Sequence, residues 1–392
     1  MASRTNPVLD TRALNRATLA RQLLLGRAEM SARDAVAHLL GLQAQNVKPP
    51  YYQLHARLAG FRPAELAGLM EDREAVRIVT MRSTIHTHTA ADALILRPLV
   101  QAARDREVNH FRKGLVGVDP ERLATLARVF VEAEPRTMGE IREELLLTWP
   151  GADPQSLAVA ARCLLPLVQV TPRGVWGRSG QVRLTTVEQW LGEPVGAPQE
   201  IDAVVLRYLG AFGPASVKDM QTWAGLTRLR EAFERLRPQL LAFCDENGVE
   251  LFDLPDAPRP DAETPAPPRF LPEFDNLLLS HADRSRVVAP EFKGRTWTGN
   301  QAHRTLLVDG SVAGLWRIDQ DDDRAPVLTV ELFGKDTAGK ADTAGKAGRT
   351  GKAGRTGKTE AAVKAEIEAE GLEMLVVMTG APGSVRFGSI HG

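Results

Sequence analysis

The sequence predicts an α+β protein in which three tandem winged helix-turn-helix units precede a C-terminal β-rich domain. Two observations predict this class. The order helix, helix, two-stranded ribbon occurs in residues 119–198 and again in residues 199–254, which makes a third such unit over residues 1–118 credible. Beyond a Pro-rich stretch, residues 255–268, the pattern turns to strand-like runs that continue through residues 269–392.

The elements follow in order. Residues 9–28 carry Leu14, Ala17, Leu19, Leu23 and Leu24 at helical spacing. Ser31 with Asp34 three residues on opens a second helix with Ala35, Val36, Leu39 and Leu40 on one face. Gly41 weakens that helix, and Pro49-Pro50 bars its continuation. Arg62-Pro63-Ala64-Glu65 opens a short helix, and residues 75–88 alternate as a strand.

In the second unit Thr137 and Glu140 form a capping box, and Asp153-Pro154 starts a longer helix. Val168, Val170, Val175-Trp176, Val182 and Leu184 then predict a ribbon, with turns at Arg173-Gly174 and Ser179-Gly180. The third unit has helices at Ile201 to Leu209, Ser216 to Trp223 and Arg228 to Leu241, then a hairpin around Asn247-Gly248. Six prolines between Pro255 and Pro268 predict a linker.

Strands are then expected at Leu277 to Leu279, Val287-Val288, Thr305 to Val308, Val312 to Ile318, Val327 to Phe333, Leu375 to Met378 and Val385 to Phe387. Asp309-Gly310 is a hairpin turn. An insert at about 335–364 contains DTAGKA twice, then GRTGKA and GRTGKT, over residues 336–359. The repeat at 336–359 has no apolar side chain larger than Ala and cannot form a core, so disorder is expected. It is either an inert surface insertion or a phosphate-binding tail.

Composition limits the function classes. At 392 residues, 43% apolar and 25% charged, the chain is neither wholly disordered nor a disulfide scaffold. The net charge of zero argues against a uniformly basic nucleic-acid binder, but the charge is unevenly placed. Residues 1–120 hold 17 basic and 11 acidic side chains, and residues 335–364 hold 8 and 3. This predicts a basic face and an acidic back. No leader-like apolar stretch and no run of about 18 apolar residues occurs, which predicts a cytoplasmic protein without a membrane span. Cys163 and Cys244 read as buried free thiols. His86 and His88 share a strand face but lack further ligands at suitable spacing, so neither a metal nor another cofactor is expected.

The unusual segment is Gly41-Leu-Gln-Ala-Gln-Asn-Val-Lys-Pro-Pro50. In an extended turn, a period of two puts the Gln43 and Gln45 amides on one side, offering donors and acceptors without charge. On spacing alone, solvent-facing polar residues at a helix end explain it as well. Arg82-Ser-Thr-Ile-His86 sits on the first β element, and His281-Ala-Asp-Arg-Ser-Arg286 follows three leucines as a polar hairpin tip would.

Four blocks together resemble the winged-helix DNA glycosylases of the AlkZ and YcaQ type: LLGLQAQ (39–45), MRSTIH (81–86), RFLPEFDNLLLSHADRSRVV (269–288) and LLVDGSVAGLWRI (306–318). Glutamine at position 45, where YcaQ-type members carry Asp, places the chain nearer the AlkZ type. The resemblance implies three winged helices and a β domain forming a concave basic surface for duplex DNA. It implies Gln43 and Gln45 as the catalytic pair, with Lys48, Arg82, His86, His281, Asp283, Arg284 and Arg286 toward DNA. It further implies a monomer that releases N-alkylated purines and unhooks interstrand crosslinks. A non-enzymatic DNA-binding protein or transcription regulator built from the same units is the alternative.

Overall fold

The computed structural model describes residues 6–197, 200–320, 324–334 and 359–390. The low-complexity repeat at 336–358 and residues 321–323 lie outside the described residues.

The N-terminal helices lie where the caps place them. Asp10 caps Thr11–Arg21, and Ser31 caps Ala32–His38 by accepting from the Asp34 N–H. Pro49–Arg57 is a separate helix that begins with two prolines, residues suited to a first turn because no N–H is needed there. The single strand expected over 75–88 is instead a hairpin, Ala75–Val79 with Ile85–Thr89. Its tip is a tight turn, Met81–Ser83, in which Arg82 and Ser83 have φ of 54° and 58°. Alternation does not register such a break, since both arms keep a period of two.

Helices Ala90–Leu99 and Gln101–His110 follow. Next come Pro120–Ala133, Met138–Thr148 and Pro154–Leu164, ending in strands Leu167–Gln169 and Leu184–Thr186. Val175-Trp176 is not in a strand; it lies in the turns between these two. The ribbon does not stand alone. Leu167–Gln169 pairs with Ala75–Val79, so Leu42–Gln43, the first hairpin and this ribbon make one five-stranded sheet.

Helices Ile201–Phe212, Val217–Ala224 and Arg230–Leu236 precede a separate antiparallel pair, Leu241–Cys244 with Glu250–Asp253. The third helix is shorter than expected because the chain tightens into a 3-10 turn at Arg237–Gln239, with Pro238 inside it. Residues 255–268 contain no helix or strand, yet the segment is pinned: Arg16 donates to Thr264 O and Arg259 to Asp253 and Leu254 O.

The C-terminal sheet has Arg269–Leu271, Thr305–Val308, Ser311–Asp319 and Val327–Leu332 in antiparallel neighbours, with Ser384–Phe387 parallel at the edge. Asp309 and Gly310 have φ of 47° and 78°, as a two-residue hairpin with a primed turn requires. Leu375 to Met378 belongs to the helix Glu360–Thr379, which forms the crossover that a parallel pair demands. Its buried residues Ile367, Gly371, Met374, Leu375 and Met378 fall at helical spacing, which a short apolar run does not distinguish from a buried strand. Leu277 to Leu279 and Val287-Val288 are not strands either: Asn276–Leu278 is a 3-10 turn capped by Asp275, and all five apolar residues are buried as core.

The N-terminal segment is fastened to later ones by buried arginine ion pairs: Arg21 to Asp253, Arg57 to Asp275 and Arg16 to Asp309. Arginine suits this because its planar fork binds a carboxylate through two bonds. Arg57 donates at 2.8 and 2.7 Å to the two oxygens of Asp275, and neither side chain is exposed. Arg57→Ala leaves a buried, unpaired carboxylate, so denaturant titration should show a loss of about 3–5 kcal/mol. A loss under 1 kcal/mol would mean that water replaces the guanidinium.

Candidate active site and DNA-facing residues

Strand Leu42–Gln43 sets the geometry of the glutamine pair. It pairs with Ile85–Thr89 at Leu42 with Thr87 and Gln43 with His86, and the Ala44 N–H continues the ladder to Ile85 O. Both amides reach the hairpin that the strand lies against. Gln43 is buried; its Oε1 accepts from Arg82 Nη2 at 2.7 Å, and its backbone carbonyl accepts from Gln53 Nε2 at 3.1 Å. Gln45 is exposed, and its Oε1 sits 3.4 Å from the Ile85 N–H. The segment is extended at Leu42–Gln43 and bends at Gln45, so the two side chains are held against one hairpin tip, one inside and one at the surface.

Arg82 occupies the centre of that tip. Its other Nη donates to the Trp223 carbonyl at the end of Val217–Ala224. The next residue, Gly225 (φ +70°), packs so closely on the Arg82 backbone that a Cβ there would lie 3.0 Å from its nitrogen. Burial pushes the Arg82 pKa down, and the charge of Arg284 adds to this. The Arg82 guanidinium nonetheless stays protonated.

His86 is buried. Its Nδ1 faces the Thr84 carbonyl at 3.0 Å, so Nδ1 carries the proton and Nε2 is free to accept from Arg82 Nη2 at 3.4 Å. Burial pushes its pKa well below 6.5, and Arg82 adds to the effect, so the ring is neutral. His86 stacks on His88 at 5.6 Å, and Gly41 (φ +93°) lies on the His88 ring with no room for a Cβ. Among the described residues no cluster of three or more His, Cys, Asp or Glu is arranged for a metal ion.

The HADRSR segment is a loop, not a hairpin: residues 281–289 form turns in which Arg284 O accepts from the Val287 and Val288 N–H groups. His281 and Arg286 point inward. His281 Nε2 meets Phe212 O at 2.9 Å, and Arg286 Nη1 donates to Pro214 O at 2.9 Å and Thr18 Oγ1 at 3.1 Å. Asp283 is exposed and Arg284 half-exposed, the latter 5.5 Å from the Trp297 ring centre. Lys48 is exposed beside Trp176. The nearby hairpin is Trp297–Thr298 with Gln301–Ala302, turning at Gly299 (φ +57°); the Gly-Asn pair at 299–300 is its sequence signal.

Supporting residues that the sequence patterns did not single out surround the glutamine segment. Residues 273–276 grip it twice: Glu273 accepts from Asn46 Nδ2 at 3.1 Å, and Asn276 Nδ2 donates to Gly41 O at 2.8 Å. Burial pushes the Glu273 pKa up, but Arg304 at 2.9 Å and its other donors outweigh this and hold the carboxyl ionised. From the opposite side, buried Arg77 donates to Ala44 O at 2.8 Å and to Gln169 Oε1 at 3.1 Å. These contacts account for the long 269–288 block: its polar residues fix the 41–46 backbone from across the fold.

A family model described as DNA glycosylase AlkZ-like matches residues 36–371. The chain belongs to the AlkZ-like DNA glycosylase family. Among AlkZ-like relatives, the interstrand DNA cross-link repair glycosylase of Streptomyces sahachiroi is 26% identical over 358 residues, covering 79% of this chain and 91% of that protein. The solved structure of Streptomyces sahachiroi DNA glycosylase AlkZ matches 97% of this chain and all of its own with a TM-score of 0.74 at 20% identity, so the mixed α and β architecture is that of AlkZ. As a member of this family the chain is a DNA-acting enzyme, and no helix among the described residues is long and apolar enough to cross a membrane.

Proposed function

We propose that this AlkZ-like chain is a monofunctional glycosylase that hydrolyses the N-glycosidic bond of N-alkylated purines, N7-alkylguanine and N3-alkyladenine, and unhooks interstrand crosslinks in duplex DNA. The observation that carries the reading is the Gln43–Gln45 pair, with one amide locked to Arg82 and the other presented at the surface of the same hairpin. An N7- or N3-alkylated purine already bears positive charge, so it leaves without being protonated. Water attacks C1′, the C1′–N bond breaks, and its electron pair departs with the base, which leaves neutral; the added water keeps its oxygen on C1′ and gives one proton to solvent. The protein then has to orient the water and stabilise the oxocarbenium-like sugar. Gln45 supplies donors and an acceptor for that water, and Gln43 steadies Arg82. No step needs an amine nucleophile or a cofactor.

Helix triads followed by hairpins, at 120–186 and 201–253, support reading these segments as winged-helix units, with the N-terminal unit sharing its sheet with the second. On this reading Lys48, Arg284 and Arg82 face the DNA, with Asp283 on the same loop as Arg284. His86, His281 and Arg286 support those surfaces from inside. On this reading the 297–302 hairpin, the strand pair beside Arg284, reaches toward the DNA. The protein acts as a monomer.

The test is base release from a duplex holding one 7-methylguanine and from a nitrogen-mustard crosslinked duplex. The expected products are free 7-methylguanine and an intact abasic strand that borohydride does not trap on the enzyme. DNA binding without base release would instead make this a non-catalytic DNA-binding protein.

A further inference from the structure

One short helix of the third unit, Val217–Ala224, is bonded at both ends to segments that carry site arginines. At its C-terminal end the Trp223 carbonyl accepts from Arg82. Near its N-terminal end Asp219 Oδ1 accepts from the Ala282 N–H at 2.9 Å, two residues before Arg284. The helix is itself fixed. Ser216 and Asp219 close a capping box on it, and the Trp223 ring centre lies 5.1 Å from that of Tyr208 and 5.4 Å from that of Phe212 in the core of the unit.

The tip of the first hairpin depends on outside support. Arg82 and Ser83 are consecutive left-handed residues, a conformation that residues with a Cβ seldom adopt and keep only where neighbours hold it. Gly225, which caps Val217–Ala224 at φ +70°, is such a neighbour. A Cβ on it would lie 3.0 Å from Arg82 N and 3.1 Å from Arg82 Cα, so only glycine lets the helix end seat on the tip without displacing it. The Arg82 guanidinium is held by three neutral acceptors, Trp223 O, Gln43 Oε1 and His86 Nε2. Trp223 O is one of the last carbonyls of its helix, which have no partner inside it and form the negative end of the dipole. It fixes the guanidinium in direction without cancelling its charge.

We infer that Gly225 is a positioning residue for base release: by seating the end of a third-unit helix on the hairpin tip, it aims Arg82 at Gln43. The inference rests on the glycosylase reading above. It gives the third unit a part in the chemistry that needs no contact with the base. A glycine at a helix end is ordinarily a cap and no more. Gly192 and Gly380 are caps of that kind, at φ +73° and +74°, and a Cβ on either would meet nothing within 4 Å. Gly225 has the same backbone conformation but differs in what its Cβ would meet, and that difference isolates the positioning role.

The test compares Gly225→Ala and Gly225→Asn with Gly192→Ala, which carries the same backbone strain without the contact. Asn tolerates positive φ, so Gly225→Asn keeps the Cβ contact with less strain and a better chance of folding. Both Gly225 variants should slow single-turnover release of 7-methylguanine at saturating enzyme about tenfold, while Kd for a lesion-free duplex changes less than about threefold. Gly192→Ala should stay within about twofold of wild type in both measurements. On a Gln43→Ala background, Gly225→Ala should add less than about twofold, because the bond from Arg82 is already gone. Equal rates in Gly225→Ala and Gly192→Ala overturn the inference. So does a tenfold loss that recurs on Gln43→Ala. Nitrogen NMR of the Arg82 guanidinium gives a reading that needs no catalysis. Its two Nη groups, held at Trp223 O and Gln43, should give separate signals in wild type and Gly192→Ala and merge in Gly225→Ala. Merged signals in wild type overturn the inference, whereas this expected pattern with no base release by wild type sinks the glycosylase reading alone.

Discussion

Gln45→Ala is expected to lower single-turnover release of 7-methylguanine about 100- to 1,000-fold, the usual loss when one positioned hydrogen-bonding group is removed from a reacting centre. Stability should stay within about 0.5 kcal/mol, because the side chain is exposed and the amide has one long bond, to Ile85. Gln43→Ala should behave differently. Its amide is buried and accepts from Arg82, so the substitution leaves a guanidinium hydrogen without a partner and should cost about 1–3 kcal/mol as well as activity. The pair of measurements separates chemistry from support. Base release by Gln45→Ala at the wild-type rate would remove the glutamine from the mechanism and leave the exposed polar side chain as an ordinary solvent-facing one.

Acid should destabilise this protein from near pH 6.5, well above the carboxylate range. His55, His86, His88 and His281 are all buried, and burial is the main reason that each has a depressed pKa. His55 is brought to about 3 and His88 to about 4. The sign follows directly. A ring that resists protonation in the fold binds its proton in the unfolded chain near pH 6.5, so falling pH favours the unfolded state until the folded pKa is reached. Each histidine contributes a slope approaching about 1.4 kcal/mol per pH unit. Four together take away on the order of 4 kcal/mol between pH 6.5 and 5.5, a large share of a typical folding free energy. Urea midpoints measured from pH 7.5 to 5 would show this, and His88→Gln, which can keep the bond to Thr80, should flatten the curve by one histidine's worth. Constant stability across that window would mean that these rings are reached by water.

Such rings are poorly legible in the sequence. His86 and His88 read correctly as neighbours on one strand face, but nothing local says that the strand has a neighbour on each side in a five-stranded sheet. The arginine-rich composition posed the same problem. The surplus of basic residues in 1–120 predicted a basic face, yet Arg16, Arg21, Arg57, Arg77, Arg97 and Arg104 are all buried. Several of them pair with acids more than 200 positions away, as Arg57 does with Asp275 and Arg21 with Asp253. Charge counted along the chain cannot distinguish a cation aimed at phosphate from one aimed at a distant carboxylate. The HADRSR segment divides in the same way, with Arg286 inside and Arg284 near the surface two residues apart.

The sequence by itself determined the local decisions. Caps at Asp10, Ser31, Thr137 and Asp153, the Asn247-Gly248 and Asp309-Gly310 turns, and the extended geometry at Leu42–Gln43 follow from groups within a few residues of one another. Tertiary structure decided what needed distant partners. The run around Leu375 became a crossover helix because the edge strand Ser384–Phe387 runs parallel to its neighbour. The glutamine segment became a rigid site because Arg77 and residues 273–276 hold its backbone from two sides. Hydrogen bonds and caps act over a few ångströms along one chain segment, whereas burial and ion pairing depend on which segments meet, and only the folded chain specifies that.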